Sequence, residues 1–119
     1  MIRVGFITKS LTDGNAQRGV GFYAKRLLPL LKAHCSEFGI EICEIENSLE
    51  IENCKLKIIH YPYFDLFYHT LPIFSKTKTV VTVHDVIPLE FPDIYKCGIK
   101  GWINLQLQKL VLSRVQCVI

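Results

Sequence analysis

The sequence lacks long apolar runs, blocks of like charge and any signal-peptide pattern. No run reaches the roughly 18 apolar residues that a membrane-spanning helix needs, and the first residues enter a strand pattern directly. The 14 basic and 11 acidic residues give a net charge of +3 without forming a block of one sign. Nucleic acid is therefore not expected as a partner, whereas a peripheral contact with a membrane stays open.

Paired cysteine motifs are missing as well. The five cysteines are odd in number and widely spaced, and no Cys-x-x-Cys pair indicates a zinc or redox site. We expect reduced thiols in a cytoplasmic protein. The length of 119 residues allows one domain at most, and a hydrophobic content of 50% is ample for its core.

A strand that ends in a polar break is the most informative stretch that is present. Residues 79–83 are mostly β-branched, which is typical of a strand buried on both faces of a parallel sheet. His84 and Asp85 follow, and Pro88 and Pro92 can continue neither a central strand nor a helix. Ligands of open α/β sheets bind where the carboxyl end of a strand gives way to a loop, so His84 stands at a candidate site.

The remaining pattern predicts an α/β fold with a Rossmann-like parallel sheet and flanking helices. Helical spacing begins at Gly19, and Pro29 is expected to kink or shorten that helix. Strands are predicted at 2–8, 40–45, 56–61 and 115–119, a second helix at 98–114, and loops at 9–18 and 47–53. The alternating strand at 40–45 is expected near a sheet edge. Because no helix follows the last strand to cover it, we expect a fragment of a larger protein.

Gly19 and Gly21 stand where the first loop meets its helix. Glycine lets backbone N–H groups approach a ligand, and a helix N-terminus suits a phosphate. The full dinucleotide fingerprint is not met, since Ala24 takes its last position and the glycines come long after the strand, so a tight turn is an equal alternative. Glu44 and Glu46 could similarly bind a ribose, but a solvated strand face is the favoured interpretation.

The segment at 61–69 is rich in aromatic residues and follows a predicted strand. Aromatic side chains in this position commonly cap the sheet, and this is the favoured interpretation. The alternative is a sugar-stacking or acceptor surface that includes His60, Asp65 and His69. A relay between His84 and Asp85 is not favoured, because neighbours in a strand point to opposite faces and no nucleophile motif accompanies them.

Four segments in order carry a resemblance to a known family. They are Gly-Val-Gly-Phe-Tyr-Ala (19–24), Ile-Ile-His-Tyr-Pro-Tyr-Phe (58–64), Val-Val-Thr-Val-His-Asp-Val-Ile-Pro-Leu-Glu-Phe-Pro (80–92) and Ser-Arg-Val-Gln-Cys-Val-Ile (113–119). Together they resemble the N-terminal domain of family-4 retaining glycosyltransferases, the group-1 transferases with the two-Rossmann GT-B fold. The four matches extend over nearly the whole chain, which makes the resemblance more specific than any one of them.

The resemblance implies transfer of a sugar from a nucleotide-sugar donor to a glycan, lipid or other hydroxyl acceptor, with retention of anomeric configuration. Residues 1–119 would be the acceptor-side domain, an incomplete N-terminal half of the GT-B fold. The donor-binding C-terminal domain, with its paired-glutamate motif, would be required in cis or in trans, so this portion alone is expected to be inactive. The nucleotide-sugar is a co-substrate, and no other cofactor or metal is expected. The implied location is the cytoplasm, with the inner face of the membrane left open.

By position, Gly19 resembles the loop glycine whose backbone approaches the donor diphosphate, and Gly21 would support the turn. His84 resembles the catalytic cleft histidine that hydrogen-bonds the transferred sugar. Backbone N–H groups can stabilise negative charge on a departing diphosphate without a metal. The other residues expected to contact the acceptor or an anionic group, or to orient a loop, are Arg18, Tyr63, Asp65 and Asp85. Arg18 replaces the first glycine of the family's Gly-Gly loop.

Two other classes of function stay open. One is a non-catalytic acceptor-binding module or one subunit of a split transferase, which retained acceptor binding without donor binding would favour. The other is a small Rossmann protein that binds nicotinamide or flavin nucleotides. It ranks last, because its fingerprint should follow the first strand directly and the loop before Gly19 is too long.

Overall fold

The computed structural model describes residues 1–119 as a five-stranded parallel sheet with helices on both faces. The predicted α/β fold with a Rossmann-like sheet is confirmed. In chain order the strands are β1 (Ile2–Ile7), β2 (Ile40–Ile45), β3 (Ile58–Tyr61), β4 (Lys78–Val81) and β5 (Cys117–Val118). The helices are α1 (Lys9–Thr12), α2 (Gly19–Cys35), α3 (Ser48–Asn53), α4 (Ile87–Glu90) and α5 (Gly98–Leu112), with a 3₁₀ turn at Ser36–Phe38.

The strand order in the sheet is β2-β1-β3-β4-β5, and every pair is parallel. This order places β2 at an edge, as its alternating sequence predicted. Hydrogen bonding continues past the end of β4, since the N–H of Val83 donates to the carbonyl of Ile119 at 2.9 Å. Because all the strand pairs are parallel, the carboxyl ends of the inner strands lie at the same edge of the sheet.

The core has two parts because successive strand side chains point to opposite faces of the sheet. On one face Phe6 packs with Ala24 and Leu28 of α2. On the other face Ile59 and Val81 pack with side chains of α5, together with residues of the loop that follows β3. The two long helices thus cover opposite faces of the sheet.

Two predicted loops contain short helices, and these predictions were wrong. The segment at 9–18 contains α1, and the segment at 47–53 contains α3. The side chain of Asn47 accepts hydrogen bonds from the N–H groups of Leu49 and Glu50. In return the Glu50 carboxylate accepts from the N–H of Glu46 at 2.9 Å. This reciprocal capping pairs the N–H groups that a helix start leaves free, and it explains why so short a helix forms.

Two of the five prolines lie within helices. α2 continues through Pro29 to Cys35, so the predicted shortening is wrong. Pro29 is exposed, and the carbonyl of Lys25 that loses its hydrogen bond can be hydrated there. Pro88 lies in the first turn of α4, where a helix does not require the N–H group that proline lacks.

His60 makes the stability of the fold depend on pH. It is 8% exposed, its Nε2 lies 3.0 Å from the hydroxyl of Thr82, and its ring packs edge-on against Phe6. Burial lowers the pKa of His60 below the ordinary 6.5. The native state therefore binds this proton less readily than the unfolded chain does. The contribution to stability is complete above pH 6.5 and is lost as the pH falls below that value.

We expect the free energy of unfolding to fall between about pH 7 and pH 5, and His60→Gln to reduce that slope. Urea denaturation at several pH values measures it. His34→Gln on the exposed end of α2 is the matched control and should keep the slope of the unaltered chain. An identical slope in the His60→Gln and His34→Gln variants would contradict the prediction.

Candidate functional site

A cleft of about 440 Å³ lies at the carboxyl ends of β3 and β4. Its walls come from the start of α2, the loop after β3 and the loop after β4. Six of the seven residues predicted for the site line it, namely Arg18, Gly19, Tyr63, Asp65, His84 and Asp85. Segments that are far apart in the sequence therefore meet in one place.

Gly19 and Gly21 have different surroundings at the start of α2. A Cβ atom on Gly19 would meet no atom within 4 Å, so its backbone is open to the cleft. A Cβ atom on Gly21 would lie 2.3 Å from the carbonyl oxygen of Asn15. Gly21 does not line the cleft, and its lack of a side chain lets the preceding loop pack against the helix. No side chain caps this helix start, where Arg18 is the N-cap residue.

His84 is held by contacts with two other elements. Its Nε2 lies 2.8 Å from the carbonyl oxygen of Pro62, and its ring packs edge-on against Tyr23 at a centroid distance of 4.8 Å. A carbonyl can only accept, so Nε2 carries a proton. In the neutral ring Nδ1 is then a hydrogen-bond acceptor, which can receive a hydrogen bond from a hydroxyl group.

The two carboxylates of the cleft each hold a loop with one oxygen. Asp85 Oδ1 accepts from the N–H of Ile87 at 3.2 Å, and Asp65 Oδ1 accepts from the N–H of Phe67 at 2.9 Å. These are short turns of the kind that aspartate favours. His84 bonds to Pro62 and not to Asp85. Asp65 and Asp85 therefore shape the two loops, and no relay joins Asp85 to His84.

Tyr63 contributes a hydroxyl group that stays protonated. Burial, with the negative charges of Asp65 and Asp13, raises the pKa of Tyr63 above its ordinary value. A neutral phenol can donate as well as accept a hydrogen bond. Tyr63 lines the cleft with His84, and it also lines a smaller neighbouring cavity with Thr70.

Several other candidates lie outside the cleft. His60 is buried against Phe6, and His69 is exposed, with its Nδ1 3.4 Å from the amide nitrogen of Gln108. Glu44 forms an ion pair with Lys32. None of these side chains, nor that of Glu46, lines the cleft. In the aromatic segment, Tyr61 and Phe64 are core residues, so the structural interpretation holds for these two.

Gln108 is a positioning residue that the sequence reading missed. It is fully buried on α5, where its Oε1 accepts from the N–H groups of Thr70 and Leu71 at 3.0 and 2.8 Å. Its Nε2 donates to the carbonyl of Leu71 at 3.1 Å. The loop that carries Tyr63 and Asp65 is thereby fixed to the helix. The helix has a glutamine on each apolar side, Gln106 and Gln108, and the sequence does not tell which one is buried.

Replacing Gln108 by leucine should lower the free energy of unfolding by about 3 kcal/mol, because each buried backbone group left without a partner costs roughly 1–3 kcal/mol. Gln106→Leu on the exposed side of the same helix is the control and should change stability by less than about 0.5 kcal/mol. Urea denaturation measures both. Equal effects of the two substitutions would show that the Gln108 hydrogen bonds do not stabilise the loop.

The two glycines of α2 should respond oppositely to alanine. Gly21→Ala should destabilise the chain by about 1–3 kcal/mol, because the new methyl group overlaps the backbone of the preceding loop. Gly19→Ala should be stabilising by about 0.4–1 kcal/mol, since its Cβ meets open space and alanine restricts the unfolded chain. Thermal and urea denaturation measure both, and the same sign for both variants would contradict the assignment.

None of the helices combines the length and the hydrophobicity that spanning a bilayer requires. No group of three or more histidine, cysteine, aspartate or glutamate side chains is arranged to hold a metal ion. All five cysteines are unpaired. No protein-family model, curated protein or solved structure matches this chain.

Proposed function

We propose that this chain is the acceptor-side domain of a retaining glycosyltransferase, which transfers a sugar from a nucleotide-sugar to a glycan, lipid or other hydroxyl acceptor. The observation that carries the proposal is the convergence of Arg18 and Gly19, Tyr63 and Asp65, and His84 and Asp85 on one cleft. These pairs lie in or beside three of the segments that resemble the family. The carboxyl edge of a parallel sheet is also where α/β folds bind ligands.

The start of α2 suits the diphosphate of the donor. Its N–H groups carry partial positive charge, no side chain caps them, and Gly19 leaves the approach open. The guanidinium of Arg18 stands beside them and can form charge-assisted hydrogen bonds with phosphate oxygens. These groups would stabilise the negative charge that develops on the diphosphate as the sugar leaves.

The opposite wall of the cleft suits a sugar. Nδ1 of His84 would accept a hydrogen bond from a sugar hydroxyl, because its Nε2 already donates to Pro62. The hydroxyl of Tyr63 would donate to a sugar oxygen. Asp65 and Asp85 each keep a carboxylate oxygen beyond the one that holds the loop, and these can accept from acceptor hydroxyls.

The remaining donor contacts would come from residues other than these 119, either in the same polypeptide or in a partner. The seven residues proposed for the site include no paired glutamates, and they do not form a pocket for the nucleotide base. Residues 1–119 by themselves would accordingly bind ligands without transferring a sugar. The unpaired cysteines suit the reducing cytoplasm in which nucleotide-sugars would be used.

Inorganic pyrophosphate is the test ligand, since every nucleoside-diphosphate donor contains its chemistry. We expect it to shift the amide NMR signals of Gly19 and Val20 in the 119-residue chain. Gly19→Ala should weaken binding about tenfold, because losing close backbone approach costs roughly one hydrogen bond. The measurement is a titration followed by two-dimensional NMR.

Gly14→Ala is the matched control, because its Cβ would also meet open space and Gly14 does not line the cleft. It should bind pyrophosphate as the unaltered chain does. Equal weakening in both variants, or shifts confined to other residues, would overturn the diphosphate assignment. Glycan binding at Tyr63 and His84 without pyrophosphate binding would instead support a non-catalytic acceptor-binding module.

A further inference from the structure

The outward side of α5 is apolar although the helix already buries its opposite side. Gly101, Leu105, Gln108 and Val111 are buried on the side that faces the sheet and the loop after β3. Five large apolar residues face away from it: Ile99 (82% exposed), Trp102 (57%), Ile103 (48%), Leu107 (40%) and Leu110 (51%). We call these five residues the α5 outer face. A helix that is apolar on two sides normally has something packed against each of them.

The outer face is one continuous stripe bordered by lysines. At roughly 100° per residue, its five members fall on one side of the helix, directly opposite the buried residues. Lys100 and Lys109 fall on either flank of the stripe, and Gln106 is the one polar residue within it. A lysine in this position can pack its aliphatic stem against the apolar stripe while its ammonium group stays in a polar environment.

The charged residues of this helix and of the segment after it have a single sign. From Lys96 to Ile119 the chain carries four basic residues and no acidic one, whereas the preceding 95 residues carry ten basic and 11 acidic ones. The acidic residues are concentrated elsewhere, with six between Glu37 and Glu52, around the edge strand β2. β5, which follows α5, forms the opposite edge of the sheet. Exposed Glu90 and Asp93 precede this segment, so the preference for an anionic partner rests on Lys100 and Lys109 beside the outer face.

We propose that the α5 outer face binds an anionic lipid surface, with the helix lying in the plane of the membrane. The apolar stripe would enter the boundary between headgroups and acyl chains, and Lys100 and Lys109 would pair with anionic headgroups. Trp102 is a residue type that favours this boundary, with an apolar ring and a polar N–H. A second copy of the chain is disfavoured as the partner, because pairing these faces would bring like charges together.

The helix α5 is joined to the cleft through Asn104, which is not part of the outer face. The side chain of Asn104 on α5 donates to the carbonyl of Phe67 at 3.1 Å, and Phe67 lines the cleft. A membrane bound to the outer face would thus be separated from the loop after β3 by α5 itself. The step from membrane binding to a lipid-linked acceptor rests on the proposed function, whereas membrane binding itself does not.

Trp102 provides a specific probe, because it is the single tryptophan of the chain. We expect the chain to bind vesicles of phosphatidylcholine with roughly 30% phosphatidylglycerol and not vesicles of phosphatidylcholine alone, since the basic residues require an anionic surface. On binding, the emission of Trp102 should shift to the blue and be quenched by brominated lipid. Flotation and fluorescence titration measure the two effects.

Charge-reversal variants locate the contact. Lys100→Glu with Lys109→Glu should weaken partitioning by at least about 30-fold, because each basic residue near an anionic surface contributes roughly fivefold. Lys25→Glu with Arg26→Glu, on the exposed side of α2, makes the same change in net charge and is the matched control. Ile99→Ser with Ile103→Ser should abolish the blue shift. Circular dichroism and thermal melts confirm that each variant is folded.

Three results would overturn the proposal. They are absence of binding to the anionic vesicles, equal weakening by the α2 and α5 charge variants, and binding that leaves the emission of Trp102 unchanged. Formation of a dimer that buries Trp102, or a complex with an acidic protein in place of lipid, would also overturn it. Pyrophosphate binding at Gly19 uses a different probe and different residues, so failure of one proposal is distinguishable from failure of the other.

Discussion

The parallel hydrogen bonding between β3 and β4 is the constraint on which the candidate site depends. Ile58 pairs with Lys78 and Tyr61 with Val81, and the N–H of Thr82 then donates to the carbonyl of Tyr61 at 2.9 Å. Because this register ends both strands at the same level, the loops that follow them start side by side. In that arrangement the imidazole of His84 reaches the carbonyl of Pro62. The register thus fixes both the place and the tautomer of this histidine.

The walls of the cleft depend on packing beneath it. The loop after β3 inserts Phe64 and Leu66 into the core, while Tyr63 and Asp65, which alternate with them, line the cleft. Gln108 fixes the far end of this loop by bonding its backbone. A buried amide whose main hydrogen bonds are satisfied favours a single loop conformation. Apolar packing alone specifies a conformation less strictly, because it is not directional. The cleft is consequently shaped by the core as much as by its own residues.

The sequence predicted those features that depend on local pattern. Runs of β-branched residues marked the inner strands, and their carboxyl ends marked His84 as a site residue. The short helix α3 was missed although its Asn-x-x-Glu start is a capping signal, because a polar and acidic segment also suits a loop. The role of Gln108 was not predictable in this way, since its partners lie 37 or 38 residues away in the chain.

His60 and His84 show the same limit of prediction from sequence. His60 and His84 each stand at the end of a predicted strand, and residue type alone does not tell which one faces the core. The alternation of β3 directs His60 toward Phe6 under α2, whereas His84 lies beyond the last rung of β4 and is exposed. The distinction follows from where each strand ends, and strand ends are the boundaries that sequence patterns define least well.

The distribution of charge relates the two proposed surfaces to each other. Acidic residues gather around β2 at one edge of the sheet, and the basic residues of α5 and its flanks lie toward the opposite edge. Such a separation orients a molecule near an anionic surface before contact, although salt limits its range to about 8–10 Å. An anionic membrane would repel the β2 edge and attract α5, which is joined to the cleft through Asn104 and Phe67. The orientation that charge favours is therefore the one that turns the outer face of α5 to the surface.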